Sequence, residues 1–267
     1  MFDITRPQII AAVEDMRGGV KEWRLWGFLA WQEIKQRYRR STLGPFWMSA
    51  NMALQMATMG LLVGKLFGHT YGKFLPYVCA GFIVWNYIGG TIIQGANAFV
   101  SSQSYIQQMH RPFHSYILLS IWRGFITLWH DMIVFVGVLI IFAIPPTLNI
   151  LWFFVALPVV TFSVSWIALL LATIAVRFRD VPPLLQNGMN VLFWLTPIIY
   201  YADQLGDKAY LLLFNPLTHV VILLRDPLLG TAPSLINWIV AIGFGTIGWG
   251  IAFLVFARFR SRIAYWL

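Results

Sequence analysis

The chain has 267 residues, 59% of them hydrophobic and 11% charged, with a mean hydropathy of +0.70. These values exclude an ordinary soluble globular domain and indicate an integral membrane protein, long enough for one helical bundle with short loops but not for a large soluble domain as well. The net charge of +9 would suggest nucleic acid in a soluble chain, but the basic residues here flank apolar segments, so membrane lipids are the expected partner and nucleic acid is not.

Residues 1–19 contain no apolar core and carry Asp3, Glu14 and Asp15, so they do not resemble a cleavable signal peptide. Over residues 22–40, Trp23, Trp26, Ala30, Ile34 and Tyr38 recur at helical spacing, while Gln32, Lys35, Gln36, Arg39 and Arg40 fall on the other side. This pattern predicts an interfacial amphipathic helix. It leads into a basic cluster, Lys35, Arg37, Arg39 and Arg40, directly before the first long apolar run. On pattern alone that cluster reads equally well as a juxtamembrane anchor that only fixes orientation.

Six stretches approach the roughly 20 apolar residues that a spanning helix needs: 43–67, 74–99, 117–144, 150–176, 184–201 and 235–257. The fifth is the weakest, because Gln186, Asn187, Gly188 and Asn190 dilute its first half. With six spans, all but four of the 19 lysines and arginines fall on the side of the two termini, the exceptions being Lys65, Lys73, Lys208 and Arg225. The positive-inside rule then places both termini in the cytoplasm.

Residues 202–233, between the fifth and sixth spans, hold two apolar pieces, "AYLLLF" and "PLTHVVILLRDPLLG", each too short to cross a bilayer. Asn215 followed by Pro216 supplies a cap and a first-turn proline for the second piece. The expected fold is therefore all-α and polytopic, one domain with six transmembrane helices, an N-terminal interfacial helix and two short external re-entrant helices. Tyr210, Phe214, Asn215, Pro216 and Arg225, within a region spanning 203–230, would form a gate at the outer end of any passage.

Chemistry-bearing motifs are scarce. "GLLVGKL" at 60–66 imitates a phosphate loop but has one residue too few between its glycines and no Ser or Thr after Lys65. The histidines show no metal-ligand spacing, and Cys79 is the only cysteine, so neither a metal centre nor an internal disulfide is expected. In the third span Arg123, Thr127, His130 and Asp131 share one helical face, which must point to protein or water rather than lipid. The stripe reads as an interhelical hydrogen-bond network in preference to a pathway lining or proton relay. Aromatic residues make up 16% of the chain. Taken singly, Phe46, Trp47, Trp85, Tyr87, Phe193, Trp194, Tyr200 and Tyr201 read as packing or interface anchors. As a set they suit a passage for sugars, whose C–H faces stack on rings.

Five ordered motifs, "RYRRSTLGPFW" (37–47), "GFIVWNY" (81–87), "RFRDVPPLLQNGMNVLFWLTPIIY" (177–200), "NPLTHVVILLRDPLLG" (215–230) and "RFRSRIAYWL" (258–267), resemble the membrane subunit of bacterial ABC exporters for O-antigen, capsule and teichoic-acid polysaccharides. The resemblance covers nearly the whole chain. It departs from the family between the second and third spans, where this chain reads "MHRPFHSYILLS". The resemblance implies a transport subunit with no catalytic residues and no cofactor of its own, working as a homodimer with two copies of a separate ATPase that binds ATP and Mg²⁺. It further implies the bacterial cytoplasmic (inner) membrane and a lipid-linked polysaccharide as substrate. Arg37, Arg39 and Arg40 would meet the lipid pyrophosphate at the entry portal, and Gln107, Gln108, Arg111 and Pro112 would couple to the ATPase. An exporter of a drug or small lipid on the same fold would need a drier passage. A membrane-embedded glycan-modifying enzyme would need essential acids, with only Asp203, Asp207 and Asp226 available outside.

Overall fold

A computed structural model describes residues 4–66 and 71–267, and among these the regular structure is entirely helical. In chain order the helices are α1 (Arg6–Lys21), α2 (Trp23–Arg37), α3 (Trp47–Leu66), α4 (Tyr71–Ala96), α5 (Ala98–Ser101), α6 (Gln103–Gln108), α7 (Phe113–Ile141), α8 (Leu151–Ala175), α9 (Val181–Leu195), α10 (Pro216–Leu228) and α11 (Leu235–Trp266), with a kinked 3₁₀ segment over Ala202–Phe214. Four described helices are long and apolar enough to cross a membrane: Gly72–Ala96, Phe113–Ile141, Leu148–Ala175 and Leu235–Trp266.

The bundle is built around α4, which packs against α8, α7, α10, α3 and α9. It can sit at the centre because almost every residue from Pro76 to Gly89 is buried. Small residues let the helices approach closely, as in other membrane bundles: a Cβ at Gly95 would collide with Ala168 of α8. Two apolar cores result. One joins α4, α7, α8 and α10 around Phe74, Phe135, Phe153 and Val220; the other joins α1, α7, α8 and α11 around Phe99, Ile117, Leu169 and Phe256.

The six-span expectation is met only in part: among the described residues four helices are clear spans, or five if the bent pair Ala202–Phe214 and Pro216–Leu228, which meet at 108°, is one broken span. The fifth expected span stops early, since α9 has 15 residues and reaches only about 22 Å at 1.5 Å per residue. Its end has a local cause: Pro197 disfavours helical backbone at Thr196, which is extended with φ −111° and ψ 135°. The N-terminal region holds two helices rather than one, α1 preceding α2. The end of the first expected span, Phe67, lies outside the described residues.

Within α2, Ala30 and Ile34 are buried against α7, Trp26 is half-buried, and Trp23 is exposed. Asn215 caps α10 as its sequence suggests, its side-chain oxygen accepting from Leu217 N at 3.0 Å. The helix it starts is sealed into the bundle: Leu217, Val220, Val221, Leu223 and Leu224 are all buried against neighbouring helices.

Candidate functional site

After α2 the chain turns through Tyr38, Arg39 and Arg40 and re-enters a helix via Gly44, whose φ of +55° suits glycine. Arg37, Arg39 and Arg40 are exposed on this turn, and none of them has an ion pair with a carboxylate among the described residues. Phe46 and Trp47 follow, also exposed.

Beside this basic turn opens a cleft of about 440 Å³ walled by α3, α4, α7 and α9. Tyr38 lines it at the turn. Asn51 and Gln55 come from α3, Trp85 and Asn86 from α4, Thr127 and Asp131 from α7, and Gln186 and Asn190 from α9. Met48, Met52, Ile93, Met189, Trp85 and two glycines, Gly89 and Gly90, complete the wall, and the rest of it is amides, hydroxyls and one carboxyl group. Asn51, Gln55, Asn86, Gln186 and Asn190 are exposed. An exposed amide on a lipid-facing helix surface would lack hydrogen-bond partners, so this face fits water or protein, not acyl chains. Sequence reasoning had passed over these amides as site residues. The signal was present in their spacing, since Asn51 and Gln55, and Gln186 and Asn190, are each four residues apart and share a helical face.

The third-span stripe divides between two surroundings. Arg123 pairs with Glu33 of α2 at 2.8 Å, tying α2 to α7. Thr127 and His130 bond back to the carbonyls of Arg123 and Ile126 on their own helix, at 3.1 and 2.8 Å. Asp131 is 3% exposed, lines the cleft, and has no ion-pair partner among the described residues.

The aromatic residues also part company. Trp85 lines the cleft and meets Phe193, which in turn meets Trp194 of the exposed α9 surface. Tyr87 is instead a core residue, 2% exposed, with its hydroxyl 2.6 Å from Thr161 Oγ1 of α8. Its ring packs inside the bundle. Tyr200 and Tyr201 belong to the irregular stretch after α9, where the Tyr200 hydroxyl donates to Trp194 O at 3.2 Å and Tyr201 stacks obliquely on Tyr77.

That stretch is held by Arg225, which is 6% exposed. Its guanidinium donates to Pro197 O at 2.6 Å and to the Tyr77 hydroxyl at 2.7 Å, and the Tyr77 hydroxyl lies 3.0 Å from the carbonyl oxygens of both Pro197 and Tyr200. Backbone carbonyls released by the helix break thereby find donors inside the protein, the condition for irregular backbone at membrane depth. Tyr210 and Phe214, by contrast, are exposed.

At the opposite end of the bundle, Gln107 and Gln108 end α6, Arg111 and Pro112 follow, and α7 begins at Phe113. Gln107, Gln108 and Arg111 are exposed, and Arg111 pairs with Glu22 at 2.9 Å. Asp15 of α1 organises the junction. Its carboxylate accepts from Phe113 N (3.1 Å), His114 N (2.9 Å) and Arg260 Nε of α11 (2.8 Å). Gly19 permits the contact, because a Cβ there would lie 2.9 Å from the His114 side chain.

A family model described as ABC-2 type transporter matches residues 24–229. The chain is 22% identical over 203 residues to the O-antigen export system permease protein RfbA of Klebsiella pneumoniae, covering 73% of this chain and 76% of that protein. It is 24% identical over 205 residues to the protein of the same description from Myxococcus xanthus, covering 72% and 75%.

Proposed function

The chain belongs to the ABC-2 type transporter family, and from that premise we propose that it is the permease subunit of an ATP-driven exporter of lipid-linked polysaccharide. The observation that carries this reading is the polar cleft beside the basic turn. Guanidinium groups at Arg37, Arg39 and Arg40 suit a pyrophosphate, which takes bidentate hydrogen bonds from them. The amides behind them suit sugar hydroxyls, and Trp85 offers a ring to a sugar face. A drug or small lipid would engage only the apolar part of this wall, Met48, Met52, Ile93, Met189 and Trp85, and leave the amides unpaired.

On this reading two copies of the chain enclose the passage, and the exposed amide faces of α3 and α9 border its water. A separate ATPase docks beneath each copy at Gln107, Gln108, Arg111 and Pro112 and supplies ATP hydrolysis with Mg²⁺. Both termini lie in the cytoplasm and the protein in the inner membrane. The residues around Tyr210 to Arg225 border the outer end of the passage. Deleting the gene should trap the lipid-linked glycan on the inner leaflet, and the plasmid-borne permease should restore its appearance at the cell surface. Surface glycan unchanged by the deletion would overturn the reading.

A further inference from the structure

The cleft has a charge pattern that says which polymers can use it. Among the described residues the cations stop at the basic turn, and no lysine or arginine lines the cleft. Its one acidic residue among the described residues is Asp131, nearly sealed and without an ion-pair partner there. Around it stand uncharged amides, with Asn51, Gln55 and Asn86 exposed to the opening.

An anionic sugar held against this wall would give up part of its hydration and meet no opposite charge, a net cost. If close to Asp131 it would also meet a second carboxyl group, which repels it when ionised. A sugar bearing only hydroxyls faces neither penalty, because an amide both donates and accepts and a carboxylate accepts from hydroxyls. Building on the polysaccharide-export reading, we infer that the cleft of Asn51, Gln55, Asn86 and Asp131 is a subsite for uncharged, hydroxyl-rich sugar units that rejects acidic ones. The transported molecule then has its negative charge confined to the pyrophosphate, held at the basic turn, while the glycan directly behind it is neutral. Polymers with uronic-acid or phosphodiester repeats are poor substrates.

The test reads occupancy of the cleft itself, since an acidic sugar could also bind at the basic turn. Gln55→Cys places a thiol in the wall, and the native Cys79 is buried. The full-length variant in lipid nanodiscs is labelled with a hydrophilic maleimide in the presence of a neutral linear hexose oligosaccharide, or of the same oligosaccharide with its primary hydroxyls oxidised to carboxylates. The neutral form should give half-protection at a concentration at least about ten-fold lower, the range expected for an uncompensated charge. Adding Asp131→Asn should narrow that gap, and adding Asn51→Lys, at an exposed position that tolerates a new side chain, should reverse it. Equal protection by the two sugars, or a preference unmoved by Asn51→Lys, overturns the charge inference and leaves polysaccharide export standing. Protection by neither sugar, with the thiol still reactive, overturns the subsite and speaks against a glycan in the cleft at all.

Discussion

Two residue clusters on either side of α2 have opposite surroundings. Arg37, Arg39 and Arg40 are exposed and have no carboxylate partner, so their guanidinium groups remain available to a ligand. Replacing all three by lysine preserves the charge that orients a membrane protein but removes the planar fork that grips phosphate. Export should fall several-fold, measured as surface glycan, while membrane insertion stays intact; unchanged export would reduce the cluster to a topology signal. Asp15 is the reverse case, a carboxylate with no exposed side-chain surface, bonded to two backbone amides and Arg260. Asp15→Asn removes the charge partner of the part-exposed Arg260 and one of two acceptors for the backbone amides, a change that costs about 1–3 kcal/mol. The apparent melting temperature in detergent should drop by several degrees, whereas Glu14→Gln, at an exposed neighbour, should leave it in place. Equal melting of the two variants would show that Asp15 does not clamp α1 to α7 and α11.

The elements that depart from a simple spanning helix are the ones whose interruptions carry structure. The break after α9 exists because Pro197 ends the helix, and it persists because Arg225 and Tyr77 supply donors to the freed carbonyls. Arg225→Met removes the guanidinium's bonds to Pro197 O and to the Tyr77 hydroxyl together with its pairing to Asp226, and leaves Pro197 O with the Tyr77 hydroxyl alone. Thermal stability should fall by about 1–3 kcal/mol for the orphaned groups, and cysteines placed at Tyr200 should label faster; a variant as stable and as slowly labelled as the parent would refute this account. The stop at Pro197 and the cap at Asn215–Pro216 were both legible in the sequence, although only the second was read correctly, since an apolar run through Thr196 and Pro197 outweighed the proline. Helix α1 was missed for want of an apolar run, yet Thr5 and Gln8 form a capping box with Pro7 in the first turn. Trp85 and Tyr87 were grouped as passage aromatics, but residues two apart on a helix point to nearly opposite sides. One lines the cleft and the other the core. The ion pair of Arg123 with Glu33 and the triple contact of Asp15 join residues far apart in the chain, and no spacing rule announces them.

At the scale of the whole molecule, the exposed surface divides by chemistry. The outer faces of α7 and α11 present Ile133, Val136, Ile239 and Ile247, residues suited to acyl chains. The opening between α3, α4 and α9 presents Asn51, Gln55, Asn86, Gln186 and Asn190 instead. A bilayer offers these amides no hydrogen bonds, and each one left unsatisfied costs several kcal/mol, so a monomer bathed in lipid on all sides is disfavoured. A second copy facing the first across this opening would enclose water and satisfy both sets at once. The buried native Cys79 makes this division measurable, because single cysteines can be introduced against a quiet background. Cysteines at Asn51, Gln55 and Asn190 should react with a charged methanethiosulfonate reagent, which needs water to ionise the thiol and to reach it. Cysteines at Val136 and Ile247 should react slowest, by roughly ten-fold or more if ionising a thiol in hydrocarbon carries the usual cost of a bare charge. Equal, slow labelling at all five positions would mean that the amide face lies against lipid or protein, and a water-filled passage bordered by α3 and α9 would have to be abandoned.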